Sequence, residues 1–193
     1  MRARAAKKIH EYLSEHKSLL VKKCVEKKQG KREWHVLFRS RYEDLFRTPK
    51  ILIRQTADRI VAAPDVAVGY YCIDSVNVAL LKKSAVPQLK FLIGLLNSTV
   101  VNFYYRQISQ EGGRVLAQVK PQRIRCLPIP AASPEQQKPL ERLVDRILVA
   151  KQHDAKADTS ALERELDDLV YALYGLAPEE IQLVEGATAN KRQ

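Results

Sequence analysis

Arg106, Arg114, Lys120, Arg123 and Arg125 surround the pair Gly112-Gly113. A guanidinium fork can grip a base edge or a phosphate, and a lysine ammonium serves phosphates as a point charge. The glycine pair between them lets the chain adapt its path to a ligand. Arg39 and Arg41 follow one alternating apolar segment and Arg54 lies on the next, so each can reach a groove. Lys27, Lys28, Lys31 and Arg32 form a basic run that suits phosphate contacts, and suits a solvated loop nearly as well. Gln55, Gln107 and Gln118 carry amides able to pair with an adenine edge, although ordinary surface glutamines read the same way. What these residues share is the chemistry of holding a polyanion.

The distribution of charge points the same way. The formal net charge is +11. Residues 1–60 carry 17 Lys+Arg against 7 Asp+Glu, residues 61–130 carry 8 against 3, and residues 131–193 carry 8 against 12. The basic field therefore belongs to the first two thirds. A one-sided field attracts polyanions, nucleic acid foremost; the competing reading is a basic surface kept for solubility.

No reaction chemistry accompanies it. Methyl transfer to an amino group needs a glycine-rich turn for the methyl donor and an Asn-Pro-Pro-aromatic loop for the base. The chain has no adjacent prolines and no Gly-x-Gly. Gly30-Lys31 lacks the earlier glycine of a P-loop. Pro64-Asp65 lacks the acidic-x-Lys cluster of a magnesium nuclease and reads as a turn. His10, His16, His35 and His153 are scattered, so neither a metal site nor a catalytic triad is expected. Cys24, Cys72 and Cys126 are odd in number and far apart, which fits core filler in a reducing, cytoplasmic protein. No apolar run reaches membrane-spanning length, and the basic start is no secretory leader. So abrupt a start is expected of a segment taken from a longer protein.

These residues need elements to position them. Spacings of three and four predict an amphipathic helix over residues 6–25, followed by the basic loop. Trp34, Val36 and Phe38 alternate with polar residues and predict a strand, as does Lys50 to Gln55. Short further strands are expected over 59–63, 66–68, 70–73 and 76–81. The stretch after Pro87 is apolar all round and predicts a buried helix; Asn97-Ser98 can cap a second helix to about Ile108. Residues 109–113 read as a loop, 114–119 as a returning strand, and Cys126 to Pro130 as extended chain. Ser133 to Gln136 resembles a capping box, with Pro139 forcing a kink or a later start. Stripes from Leu140 to Leu148 and from Leu162 to Leu173, the second behind a capping box at Ser160 to Glu163, predict a helical hairpin stopped by Gly175. A last short helix begins at Pro178. Trp34, Phe103, Tyr104 and Tyr105 invite a base-stacking reading, but aromatics on apolar-rich strands and helices are more often core, and Trp34 and Phe103 are read as core. The expected class is α+β: a small, mostly antiparallel β module with inserted helices, followed by the hairpin. Its parts are a basic helix and loop (1–32), a recognition module (33–130) and a helical region (131–193).

Several segments in order resemble one family. They are Trp34 to Arg39, Thr48-Pro49-Lys50-Ile51-Leu52, Leu92 to Ser98 with its Leu-Leu-Asn-Ser, and Leu127-Pro128-Ile129-Pro130. Gln137 to Leu140, Leu143 to Leu148, and Leu166 to Leu176 complete the set. Together they are similar to the TaqI-like C-terminal specificity domain of type IIG restriction–modification enzymes and adenine-specific methyltransferases. The resemblance implies a β-rich reader of double-stranded DNA, joined to an N-terminal methyltransferase domain or subunit. That partner would use S-adenosylmethionine to methylate the N6 of a flipped adenine. This chain lacks the catalytic half, so no cofactor is expected within it. Two rivals are a protein-docking or assembly module working through the C-terminal helices, and a nuclease fragment, for which the sequence offers no ligands.

Overall fold

The computed structural model describes residues 2–22, 24–31, 33–36, 43–67, 69–82, 88–111 and 114–189. The chain divides into two units, Met1–Leu45 and Phe46–Gln193. The first holds α1 (Arg2–Glu15), α2 (Lys17–Lys22) and α3 (Val25–Lys28), and the division falls within α4 (Glu43–Phe46). The helix expected over 6–25 is thus broken at His16, where the His16 amide bonds the Leu13 carbonyl in a tighter turn. Trp34 to Val36 form a turn, closed from the Val36 amide to the Glu33 carbonyl, and not a strand. Alternation alone does not make a strand where side chains offer a local cluster instead: Trp34 packs with His10 and His35. The rest of that expected strand, including Phe38 and Arg39, lies outside the described residues.

The second unit is built on a three-stranded antiparallel sheet of β1 (Lys50–Arg54), β2 (Ala62–Asp65) and β3 (Val76–Ala79), in the order β2-β1-β3. Lys50 faces Asp65 across the β1–β2 pair, and Leu52 faces Val78 across β1–β3. Pro64-Asp65, expected as a turn, ends β2. Proline is tolerated there because β2 is an edge strand, where a missing N–H need break no ladder. The outer edge is covered by side chains: Asn97 accepts from the Ala62 amide and donates to its carbonyl, and Asn102 accepts from the Ile60 amide. The strands expected over 66–68 and 70–73 are not formed by the described residues there. The Asp65 carboxylate takes the Gly69 and Tyr70 amides, so these groups close a turn rather than a ladder.

Against the sheet lies α5 (Leu89–Asn97), followed after Ser98 by α6 (Thr99–Ser109). Ser98 joins them as expected: its hydroxyl donates to the Leu95 carbonyl and accepts from the Val101 amide. Asp167, from a later helix, accepts from both the amide and the hydroxyl of Thr99 at the first turn of α6. The short α7 (Pro121–Ile124) precedes the extended Pro128 to Ala132. Helices α8 (Pro134–His153) and α9 (Ser160–Tyr174) form the hairpin, and α10 (Pro178–Ala189) follows. The capping box at Ser133 and Gln136 is present, and α8 starts there and runs on through Pro139. Pro139 is the sixth residue of the helix, and its missing N–H forfeits the one bond that would have reached the Glu135 carbonyl. The second box, expected at Ser160 to Glu163, is not formed: Thr159 is the N-cap of α9 without a side-chain bond to a helix amide, its hydroxyl donating to Glu163, while Asp158 accepts from the Ser160 amide. Gly175 closes α9 at φ 67°, a left-handed conformation that suits glycine.

One core joins these layers. Ile51 and Ile53 of β1, Phe91 and Leu95 of α5, Tyr105 of α6, Leu140 and Val144 of α8, and Leu166 and Val170 of α9 are all buried in it. At Gly94 α5 and α8 approach closely, since an added Cβ would stand 2.9 Å from Leu140 Cδ2 and 3.2 Å from Val144 Cγ2. Gly94→Ala is therefore expected to lower stability by about 1–3 kcal/mol through overpacking. Urea unfolding at constant m-value measures it, and an unchanged midpoint would show that Leu140 can step aside. No described helix is long and apolar enough to cross a membrane.

Candidate nucleic-acid interface

The basic cluster expected around Gly112-Gly113 takes shape on the segment from Glu111 to Arg125, the glycines themselves lying outside the described residues. Its organising residue is Glu111, whose carboxylate is buried. Glu111 Oε1 accepts from Lys120 Nζ at 2.7 Å and from Arg114 Nη1 at 3.1 Å. The Lys120 hydrogen bond, aided by the charges of Arg114 and Lys120, holds this carboxyl below the usual range although burial pushes it up. Both cations keep much of their side chains in solvent. Each cationic group thus gives one hydrogen bond to Glu111 and has further N–H groups for another acceptor.

The far end of the segment is tied down by main-chain atoms. The Val119 amide donates to the Gln55 carbonyl at 2.7 Å, and Gln118 bridges Thr56. Asn77 donates to the Val119 carbonyl, and the Tyr105 hydroxyl accepts from the Lys120 amide. The strand expected over 114–119 therefore reduces to a single bridge, because the Asn77 and Tyr105 side chains take the positions a ladder partner would fill. Tyr105 is accordingly wholly buried, Tyr104 is exposed, and Phe103, read from the sequence as core, is only half-buried beside Leu127 and Leu183.

Arg123 on α7 and Arg125 just after it are exposed, and no ion pair holds either among the described residues. Arg106 is different: its side chain is only 16% exposed, and Nη2 lies 3.5 Å from Asp58 Oδ2. It braces the 58–60 turn more than it reaches outward. Arg54 is exposed at the end of β1, beside the backbone that anchors Val119. Gln107 and Gln118 are exposed and Gln55 half-buried. In the first unit, Lys28 and Lys31 are exposed, while Lys27 donates to the Trp34 carbonyl. Arg32, Arg39 and Arg41 lie outside the described residues.

The sequence reading missed two features. Glu111 is the only acidic residue between Asp74 and Glu135. A lone carboxylate inside a run of cations was the available signal that they are held in place. Val115 and Leu116 are the second: they are 99% and 74% exposed at the tip of the segment. An apolar pair between Arg114 and buried Ala117 carries no sequence mark that tells a tip from a strand.

Two cavities accompany the cluster. A cleft of about 1010 Å³ runs beside Asp58, Arg59, Asn97, Asn102, Arg106 and Asp167. A smaller groove of about 380 Å³ is lined by Val100, Phe103, Tyr104, Leu127, Leu176 and Leu183. Among the described residues no group of three or more His, Cys, Asp or Glu side chains is placed to hold a metal ion.

No curated protein matches the chain. Residues 6–129, well over half its length, match the TaqI-like C-terminal specificity domain, a module of DNA-sequence recognition in restriction–modification. With a basic segment anchored at both ends and presented from an α+β scaffold, the chain belongs to the TaqI-like C-terminal specificity domain family.

Proposed function

We propose that this chain is the target-recognition part of a type IIG-like, adenine-specific DNA methyltransferase, and that residues 114–125 meet duplex DNA. The observation that carries the reading is the Glu111 anchor. It fixes Lys120 and Arg114 on a segment that also presents Arg123 and Arg125 to solvent. Lys120 suits a phosphate, and the three arginines suit phosphates or guanine edges. Methyl transfer from S-adenosylmethionine to the adenine N6 belongs, on this reading, to a separate N-terminal domain or subunit.

The test is fluorescence anisotropy on a random duplex pool across a salt titration, with sequencing of the retained fraction. Steep salt dependence with an enriched short motif is the expected result. Absence of binding at low salt would overturn the reading. The rival, protein docking through the C-terminal helices, has one observation in its favour, the apolar groove beside Phe103 and Leu183. It predicts a heterocomplex and salt-insensitive contact with DNA. The leucine stripes of α8 and α9 lend it no support, being buried in the core or packed half-buried against it.

A further inference from the structure

Among the described residues nothing covers the tip formed by Val115 and Leu116. Both side chains stand in solvent, whereas Ala117 and Val119 on the same segment are buried. Two exposed branched aliphatics in sequence are unfavourable in water unless something covers them. The tip is also firmly mounted. On one side Arg114 is pinned to Glu111, which also holds Lys120; on the other, Val119 is bonded through both its amide and its carbonyl. The surroundings are cationic, with Arg114, Lys120, Arg123 and Arg125 within a few residues and Glu111 already neutralised by its two partners. A partner must therefore be anionic outside and apolar inside. Duplex DNA is both: phosphates flank a stack of base faces that aliphatic side chains can enter.

We infer that Val115 and Leu116 form a wedge that enters a base step and unstacks it, while the flanking cations hold the phosphates on either side. This rests on the DNA-reading function proposed above and adds to it a deformation of the DNA. Flexible pyrimidine–purine steps, which open most easily, are the favoured sites. The wedge would then contribute selectivity at a step where no hydrogen bond reads the bases.

The test uses the full chain and short duplexes carrying 2-aminopurine at TpA steps, with anisotropy and fluorescence read on the same samples. At saturation the unaltered chain is expected to raise 2-aminopurine emission several-fold, reporting unstacking. The double variant Val115→Ser with Leu116→Ser changes exposed positions only, so its thermal midpoint should match. It should bind with the same salt dependence and lose most of the emission rise, and Val115→Ile with Leu116→Met should retain it. Binding by the unaltered chain without an emission rise, or an undiminished rise in the serine variant, would overturn the wedge and leave DNA reading intact. Absence of any anisotropy change would overturn both. An oligomer that dissociates in the serine variant, with emission unchanged, would assign the tip to protein docking and overturn the wedge.

Discussion

Asp65→Asn is expected to destabilise the second unit by about 3–5 kcal/mol, as is usual when one member of a buried ion pair is removed. Lys50 and Asp65 face each other across β1 and β2, and both side chains are completely enclosed. Lys50 also donates to the Phe46 carbonyl, and Asp65 accepts from the Gly69 and Tyr70 amides. Asparagine preserves the shape but leaves an ammonium without a counter-charge where water cannot reach it. Urea unfolding would measure the loss; a midpoint shift worth less than about 1 kcal/mol would mean that the pair is solvated in solution. Adding Lys50→Met to the asparagine variant should restore much of the stability, because the uncompensated charge goes with it.

The same pair fixes the sign of the acid response. Burial pushes the Asp65 carboxyl up, but the Lys50 hydrogen bond, the two amides and the Lys50 charge together bring it below its ordinary 3.8. Its stabilising contribution is therefore complete above pH 3.8 and is lost as pH falls through the lower folded value. In Asp65→Asn this part of the acid-induced loss should vanish.

The second large effect is on binding. Arg114→Glu with Arg123→Glu is expected to weaken duplex DNA binding on the order of 100-fold at moderate salt, and to reduce the salt slope by about 2. Because Arg114 is paired with Glu111, its reversal also disturbs the loop. Arg123→Glu with Arg125→Glu separates the two causes, since it leaves the Glu111 arrangement untouched. It should weaken binding by a comparable factor. A matched reversal on the acidic side, Lys138→Glu with Arg142→Glu on α8, controls for net charge. Equal losses in all three variants would reduce the effect to overall charge and remove residues 114–125 from the site.

The helical part of this fold was legible because its signals are local. The apolar run of α5, the stripes of α8 and α9, Ser98, the Ser133–Gln136 box and Gly175 each act within a few residues. The sheet was legible at β1 and β3 and, shifted by a few residues, at β2. At its margins a side chain from a distant part of the sequence claims a backbone group that a ladder would have used. Asn97 and Asn102 serve β2, and Asn77 and Tyr105 serve residues 118–120. Nothing near those amides in the sequence announces such partners. The site follows the same division. Its cations were visible as a cluster, but that Arg106 turns to Asp58 while Arg123 stays open depends on the tertiary arrangement.

The stretch matched to the family ends at residue 129, yet the core does not. Phe91 and Leu95 lie inside that stretch and Leu140, Val144, Leu166 and Val170 beyond it, and all belong to one buried cluster. The matched stretch and the buried core thus have different borders in this chain. A gene trimmed to the matched stretch would encode α5 with its α8-facing side laid bare, a sticky product rather than a smaller reader. For transplanting a specificity onto another enzyme, the unit of exchange must carry the hairpin with it.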